Sequence, residues 1–188
     1  LDRLIKQFER RRSTDELDFG SAFDLISGTS TGGIIACGLA QGMPVGRIQA
    51  LYHENGSEIF PLKMPDGIGI DLGKQLFTRS KAIEAGAAAL EKILRKELKD
   101  ETIRGVYERR GIALAIPAVE MSRHRAWVFK TPHLGGHRDD NFSLVDVCMA
   151  TSAAPLYRSL AEIEDPDDPH RSYVFADGGL WANNPVLV

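Results

Sequence analysis

Apolar positions recur along the chain with two different periods, and each period predicts a different element. Leu1, Leu4, Ile5 and Phe8 fall at helical spacing with Arg and Lys between them, so the first dozen residues read as an amphipathic helix. That helix runs out into a polar loop, Arg11 to Asp18. Phe23-Asp24-Leu25-Ile26-Ser27 is a short apolar run, followed by glycines and then by the small-residue stretch Ile34 to Leu39. The pattern predicts a short strand, a tight turn and a closely packed helix. Residues 41–60 continue as helix after Gly42 and Pro44, with Ile48, Leu51, Tyr52 and Ile59 as buried positions, and Pro61 to Gly73 reads as a loop. From Lys81 to Asp100 the residues Ile83, Leu90, Leu94 and Leu98 share one helix face, on which Glu91 can pair with Arg95. The apolar runs Gly111 to Met121 and Ala126 to Lys130 predict strands, and a helix returns at Leu144 to Ala154. Glu164 to His170 reads as a polar loop broken by prolines, and Tyr173 to Ala176 as a final strand ending at Asp177. Strands alternating with helices predict an α/β sandwich around a central sheet.

Composition narrows the functional classes without naming one. At 188 residues, 43% hydrophobic and 26% charged, the chain suits one globular domain with a sizeable core. Its net charge of −3 gives no basic field of the kind that meets phosphates, which argues against nucleic acid as a partner. Cys37 and Cys148 lie in runs of small and apolar residues and are expected as core thiols, which fits a reducing compartment and a cytoplasmic location. No stretch reaches the roughly 18–20 apolar residues that span a bilayer, and no charged-then-apolar leader opens the chain. Since it begins at Leu1 and stops at Val188 in an apolar run, it is expected to be a piece of a longer protein with flanking domains.

The chemistry concentrates at Gly28-Thr29-Ser30-Thr31-Gly32. A serine hydroxyl is a poor nucleophile at neutral pH, so a serine hydrolase exposes the oxygen, sets a base beside it and stabilises the oxyanion that forms. A Gly-x-Ser-x-Gly turn between strand and helix does the first, with Gly28 and Gly32 expected where the turn leaves no room for a side chain. It also sets Ser30 at a helix N-terminus, where free N–H groups favour developing negative charge. For the base, the chain offers His53, His124, His133, His137 and His170, and the order Ser, acid, His can be filled by Ser30, Asp146 and His170. Asp177 is the better candidate, because it ends an apolar strand and is followed by Gly178-Gly179, where other groups can approach the backbone closely. Partial burial would make an aspartate basic enough for the task.

Three segments, in order, resemble the patatin-like phospholipases. Phe23 to Gly33 is similar to that family's nucleophile segment, Ala150-Thr151-Ser152-Ala153-Ala154-Pro155-Leu156-Tyr157 to its central helix motif, and Asp177-Gly178-Gly179-Leu180-Trp181-Ala182-Asn183-Asn184-Pro185 to its aspartate segment. The resemblance implies a three-layer α/β/α sandwich with a mostly parallel central sheet, here incomplete at both ends. It also implies a Ser-Asp dyad without histidine, in which Ser30 attacks a fatty-acyl ester and Asp177 takes its proton and later activates water. No metal and no cofactor enter that chemistry; Asp165, Asp167 and Asp168 read as a solvated acidic loop rather than a calcium site.

One departure matters. The family carries a glycine-rich oxyanion loop, Asp-Gly-Gly-Gly-x-Arg-Gly, upstream of the first helix, and this sequence begins after the place where it would stand. Residues 1–188 are therefore expected to form one catalytic-domain fragment that lacks that loop and a C-terminal continuation, with the Thr31 N–H as one remaining oxyanion donor. Each lost donor typically costs about 10²–10³ in rate, so the fragment alone is expected to be feeble. The same dyad would also serve an acyltransferase, and a non-catalytic lipid-binding or regulatory domain keeping the fold is the third reading. An acyl-lipid substrate implies transient peripheral membrane contact. Phe60-Pro-Leu-Lys-Met64 and the helix face with Lys92, Arg95, Lys96 and Lys99 are candidate interfacial elements, against the plainer reading of a packed loop and a solvated helix.

Overall fold

The computed structural model describes residues 2–12, 17–59, 72–155 and 157–187. Helix α1 (Asp2–Arg12) precedes strand β1 (Leu25–Ser27), which leads into helices α2 (Thr31–Gln41), α3 (Val45–Ile59), α4 (Leu72–Leu98) and α5 (Ile103–Arg110). Strands β2 (Ala113–Glu120) and β3 (Arg125–Lys130), helix α6 (Leu144–Thr151) and strands β4 (Ala161–Asp165) and β5 (Asp168–Asp177) complete the order. The expected α/β sandwich is what forms. α5, which hydrophobic periodicity alone did not flag, has clear end signals in the sequence. The Thr102 hydroxyl caps it by accepting the Gly105 N–H at 3.0 Å, and Gly111 ends it in the left-handed region at φ 67°.

Strand β2 is the spine of the sheet. On one long side it pairs antiparallel with β3, from Ala115↔Lys130 to Glu120↔Arg125. Its other side is shared end to end by two strands: β1 runs parallel, Leu25↔Ala113 to Ser27↔Ala115, and β5 runs antiparallel, Ala118↔Asp177 to Glu120↔Phe175. Because β1 and β5 run in opposite directions along β2, their carboxyl ends face each other across Ile116 and Pro117, the two residues between their registers. Odd-numbered residues of β2 turn their backbone groups to this side, as the bonds from Ala113 N–H to Asp24 O and from Met121 N–H to Val174 O show for the strand and the residue after it. The missing N–H of Pro117 therefore falls in the gap, where no ladder bond is lost.

The sheet is mixed, and this corrects the expectation of a mostly parallel one in the described residues. β2 reaches β3 through Met121 to His124, and β4 reaches β5 through Pro166 and Asp167, connections short enough only for antiparallel neighbours. The parallel pair, β1 with β2, is the one joined by a helical crossover. Glu164 to His170, expected as a loop, is mostly hairpin for the same reason. Its ladder skips from Asp165↔Asp168 to Glu164↔Ser172, and the bulge takes Pro169 out of the pairing. The loop expected after residue 60 lies outside the described residues as far as residue 71.

Alternation in β3 buries Trp127 and Phe129 on one face, where they meet Phe142, Tyr173 and Phe175; Trp127 and Tyr173 stand 5.1 Å apart and Phe129 and Phe175 5.2 Å, between ring centroids. α2 and α6 pack against β2 and against each other, α6 also covers β4 and β5, and α4 lies on α3 and α6 with Leu90, Leu94 and Leu98 fully buried. Cys37 and Cys148 are core residues at the α2–α6 contact, and burial pushes the Cys148 thiol well up. Among the described residues no helix is long and apolar enough to cross a membrane.

Candidate active site

The gap between the carboxyl ends of β1 and β5 is where the expected site residues meet. β1 ends at Ser27, the chain turns through Gly28 and Thr29, and Ser30 stands before α2 with φ 58° and ψ −127°. Few non-glycine residues adopt such a backbone, and it is held only where neighbouring structure over-determines it. Thr31 is the first residue of α2, so its N–H belongs to the first turn, whose donors have no carbonyl one turn earlier.

Gly28 is required for the turn, since a Cβ there would lie 2.1 Å from the Gly32 carbonyl oxygen. The same expectation for Gly32 is corrected: a Cβ at Gly32 points into open space, with nothing within 4 Å. The tight position is the next one, Gly33, where a Cβ would meet the Thr151 methyl at 2.7 Å and the Ile116 side chain at 3.2 Å. The steric demand follows the packing of α2 on α6 and β2, which the motif spacing does not encode.

On the opposite side of the gap, Asp177 closes β5 and is buried, at 6% exposure. The Ser30 Oγ donates a hydrogen bond of 2.6 Å to its Oδ2, and its Oδ1 accepts the Gly179 N–H at 2.6 Å. One carboxylate oxygen thus faces the serine and the other is fixed by the turn. Gly178 lets that turn close on β2, because a Cβ would lie 2.2 Å from the Pro117 carbonyl oxygen. A Cβ at Gly179 would come within 3.0 Å of Asp177 Oδ1. Two more bonds tie the halves together: the Thr29 hydroxyl donates to Ala182 O at 2.7 Å, and Trp181 Nε1–H to Ala118 O at 2.9 Å.

The histidine alternative does not assemble. Asp146 is occupied at the start of α6, where Ser143 Oγ donates to its Oδ2 at 2.6 Å, and His170 lies in the β4–β5 hairpin, its backbone N–H donating to Asp168 Oδ1 at 3.1 Å. His133 bonds to Thr131, His137 to Asp140, and His124 lies in the β2–β3 turn. In the acidic hairpin, Asp165 accepts from the Tyr173 hydroxyl at 2.9 Å, Asp167 from Asn141 at 2.6 Å, and Asp168 pairs with Arg171 at 3.2 Å. Lys92, Arg95, Lys96 and Lys99 are exposed on and just after α4, with Arg95 paired to Glu91 at 2.8 Å as their spacing predicts. Residues 60–64 lie outside the described residues.

Sequence reading missed three neighbours of the dyad. Arg158 is buried, at 8% exposure, near Tyr52 and Asp177; burial lowers its pKa, and the Asp177 carboxylate opposes the shift. Burial pushes the Tyr52 phenol up, so it carries its proton at neutral pH. Thr151, near the end of α6, accepts the Ser30 N–H at 3.0 Å and donates to Pro117 O at 2.7 Å. Thr151 belongs to the Ala150 to Tyr157 segment already matched to a family motif, but a motif match does not say what a buried hydroxyl holds.

Comparison with known proteins identifies relatives of the chain. A family model described as Patatin-like phospholipase matches residues 3–188. The chain is 37% identical over 168 residues to a cGAMP-activated phospholipase of Pseudomonas aeruginosa, covering 89% of this chain and 45% of that protein. It is 36% identical over 183 residues to a cGAMP-activated phospholipase of Escherichia coli, covering 95% and 46%. It is 31% identical over 176 residues to patatin-like protein 1 of Oryza sativa subsp. indica, covering 88% and 40%. The chain therefore spans about half the length, or slightly less, of these curated relatives.

Proposed function

The chain belongs to the patatin-like phospholipase family, and from that premise we propose that it carries the nucleophile and base of a serine acyl hydrolase cleaving fatty-acyl esters of phospholipids or related lipids. The observation that carries the reading is the 2.6 Å hydrogen bond from Ser30 Oγ to Asp177 Oδ2. Ser30 Oγ attacks the ester carbonyl carbon while its proton passes to Asp177. The tetrahedral intermediate collapses, the alcohol leaves with that proton, and the acyl group stays on Ser30. Water then attacks the acyl-enzyme, giving a proton to Asp177, which returns it to Ser30 as the fatty acid departs. The Thr31 N–H and the α2 N-terminus supply one oxyanion donor and a favourable dipole.

A fluorophosphonate probe should label the full-length protein at Ser30, and Ser30→Ala should remove both the label and phospholipid hydrolysis. Label or turnover that persists in Ser30→Ala refutes the assignment.

The names of the two bacterial relatives support a second element of the reading. With 36–37% identity across most of this chain, we propose that the full-length protein's hydrolysis rises when cGAMP binds. Titrating cGAMP against the rate of phospholipid hydrolysis tests this; a rate unchanged at saturating nucleotide in an active preparation overturns it.

A further inference from the structure

The backbone groups flanking both reacting side chains are held by one short segment at the end of α6. The Asp177 N–H donates to Ala153 O at 2.9 Å, and two residues earlier Thr151 Oγ1 accepts the Ser30 N–H at 3.0 Å. Thr151 is fully buried, and its own proton goes to Pro117 O at 2.7 Å, in the gap of the sheet that neither β1 nor β5 pairs. A single hydroxyl thus satisfies two backbone groups that no strand or helix partner reaches.

Its position also explains how Ser30 keeps an unfavourable backbone. The serine sits at φ 58° and ψ −127°, outside both strand and helix, and Gly28 and Gly33 on either side of it have no room for a side chain. What fixes the Ser30 N–H in that conformation is an acceptor on a different helix, wedged against Gly33 by its methyl group. We propose that Thr151 is a positioning residue for the Ser30 and Asp177 pair. Its hydroxyl holds the serine backbone in the strained conformation that aims Oγ at Asp177 Oδ2, while the adjoining Ala153 carbonyl anchors the aspartate. Thr151 touches no reacting atom, so it acts on the alignment of Ser30 and not on substrate affinity.

This inference rests on the reading of Ser30 as nucleophile, and the experiment keeps the two apart. In the full-length protein, fluorophosphonate labelling at Ser30 is measured first, together with kcat, KM and thermal stability, for wild type, Thr151→Val, Thr151→Ser and Thr151→Ala. Valine keeps the shape and loses both hydrogen bonds; serine keeps the hydroxyl and loses the methyl; alanine loses both. Misalignment of a reacting group by about an ångström lowers rates roughly 10²-fold. Thr151→Val should therefore lose about 10- to 100-fold in kcat and in labelling rate with KM unchanged, and Thr151→Ser should stay within a few-fold of wild type. If Thr151→Val does not fold, serine and alanine decide: a hydroxyl role gives serine near wild type and alanine far below it, whereas mere packing makes the two equally poor. Wild type unlabelled at Ser30 defeats the nucleophile reading itself. Wild type labelled, with folded Thr151→Val labelled and turning over at the same rate, overturns only the positioning role, as does a loss in Thr151→Ser equal to that in Thr151→Ala.

Discussion

Asp177→Asn in the full-length protein should lower kcat for ester hydrolysis by about 10²- to 10⁴-fold, the range in which a positioned general base contributes, with KM and thermal stability near those of wild type. Asparagine has the same shape, and its carbonyl oxygen can still accept the Gly179 N–H that Oδ1 now takes at 2.6 Å. The other position is the one that changes. Oδ2 accepts the Ser30 hydroxyl at 2.6 Å, and an amide NH₂ there would present a donor to the serine where an acceptor is needed. The hydroxyl loses its proton acceptor, and no histidine stands in, because the bonds of the Asp177 carboxylate run to the Ser30 hydroxyl and the Gly179 N–H and the His133 and His137 rings bond to Thr131 and Asp140. If Ser30 and Asp177 act as one unit, Ser30→Ala with Asp177→Asn should be no slower than Ser30→Ala alone. A single Asp177→Asn variant that keeps more than about a tenth of the wild-type kcat would defeat the assignment of Asp177 as base.

The two members of this pair were legible in the sequence because each sits at the end of a short apolar run followed by glycine, a local signal. Their meeting is a consequence of topology. β1 and β5 share one side of β2 in opposite directions, so their ends converge over Ile116 and Pro117 although Ser30 and Asp177 are 147 residues apart. The helix periods of α2, α4 and α6 were readable for the same reason, as repeats within a few residues of each other. The mixed sheet was not, because strand direction depends on what connects the strands, and the β4–β5 hairpin hides in a segment whose prolines and acids read as loop. Thr151 and Arg158 were invisible as site neighbours, since their partners lie on other elements: Ser30 and Pro117 for the first, Tyr52 and Asp177 for the second.

Gly28→Ala should remove Ser30 labelling altogether and lower the melting temperature, whereas Gly32→Ala should leave the fold intact. The sequence motif treats the two glycines as equivalent, and the packing does not. A methyl at Gly28 would stand 2.1 Å from the Gly32 carbonyl oxygen and 2.9 Å from the Gly33 nitrogen, all backbone atoms of the turn into α2 that cannot rotate aside. Relief requires moving the start of α2, and with it the Ser30 backbone held by Thr151. Overpacking of this kind costs about 1–3 kcal/mol or more, and each kcal/mol lowers the melting temperature of a domain this size by roughly 2–4 °C. A methyl at Gly32 meets nothing within 4 Å, and it replaces a glycine by alanine inside the first turn of α2. That exchange favours the helix by about 0.5–1 kcal/mol where the conformation is compatible, so the melting temperature should hold or rise slightly. Measuring thermal unfolding and fluorophosphonate labelling on both variants separates the cases. A Gly28→Ala protein that labels at the wild-type rate, or a Gly32→Ala protein destabilised as much as Gly28→Ala, would mean that the turn is not held by the contacts described.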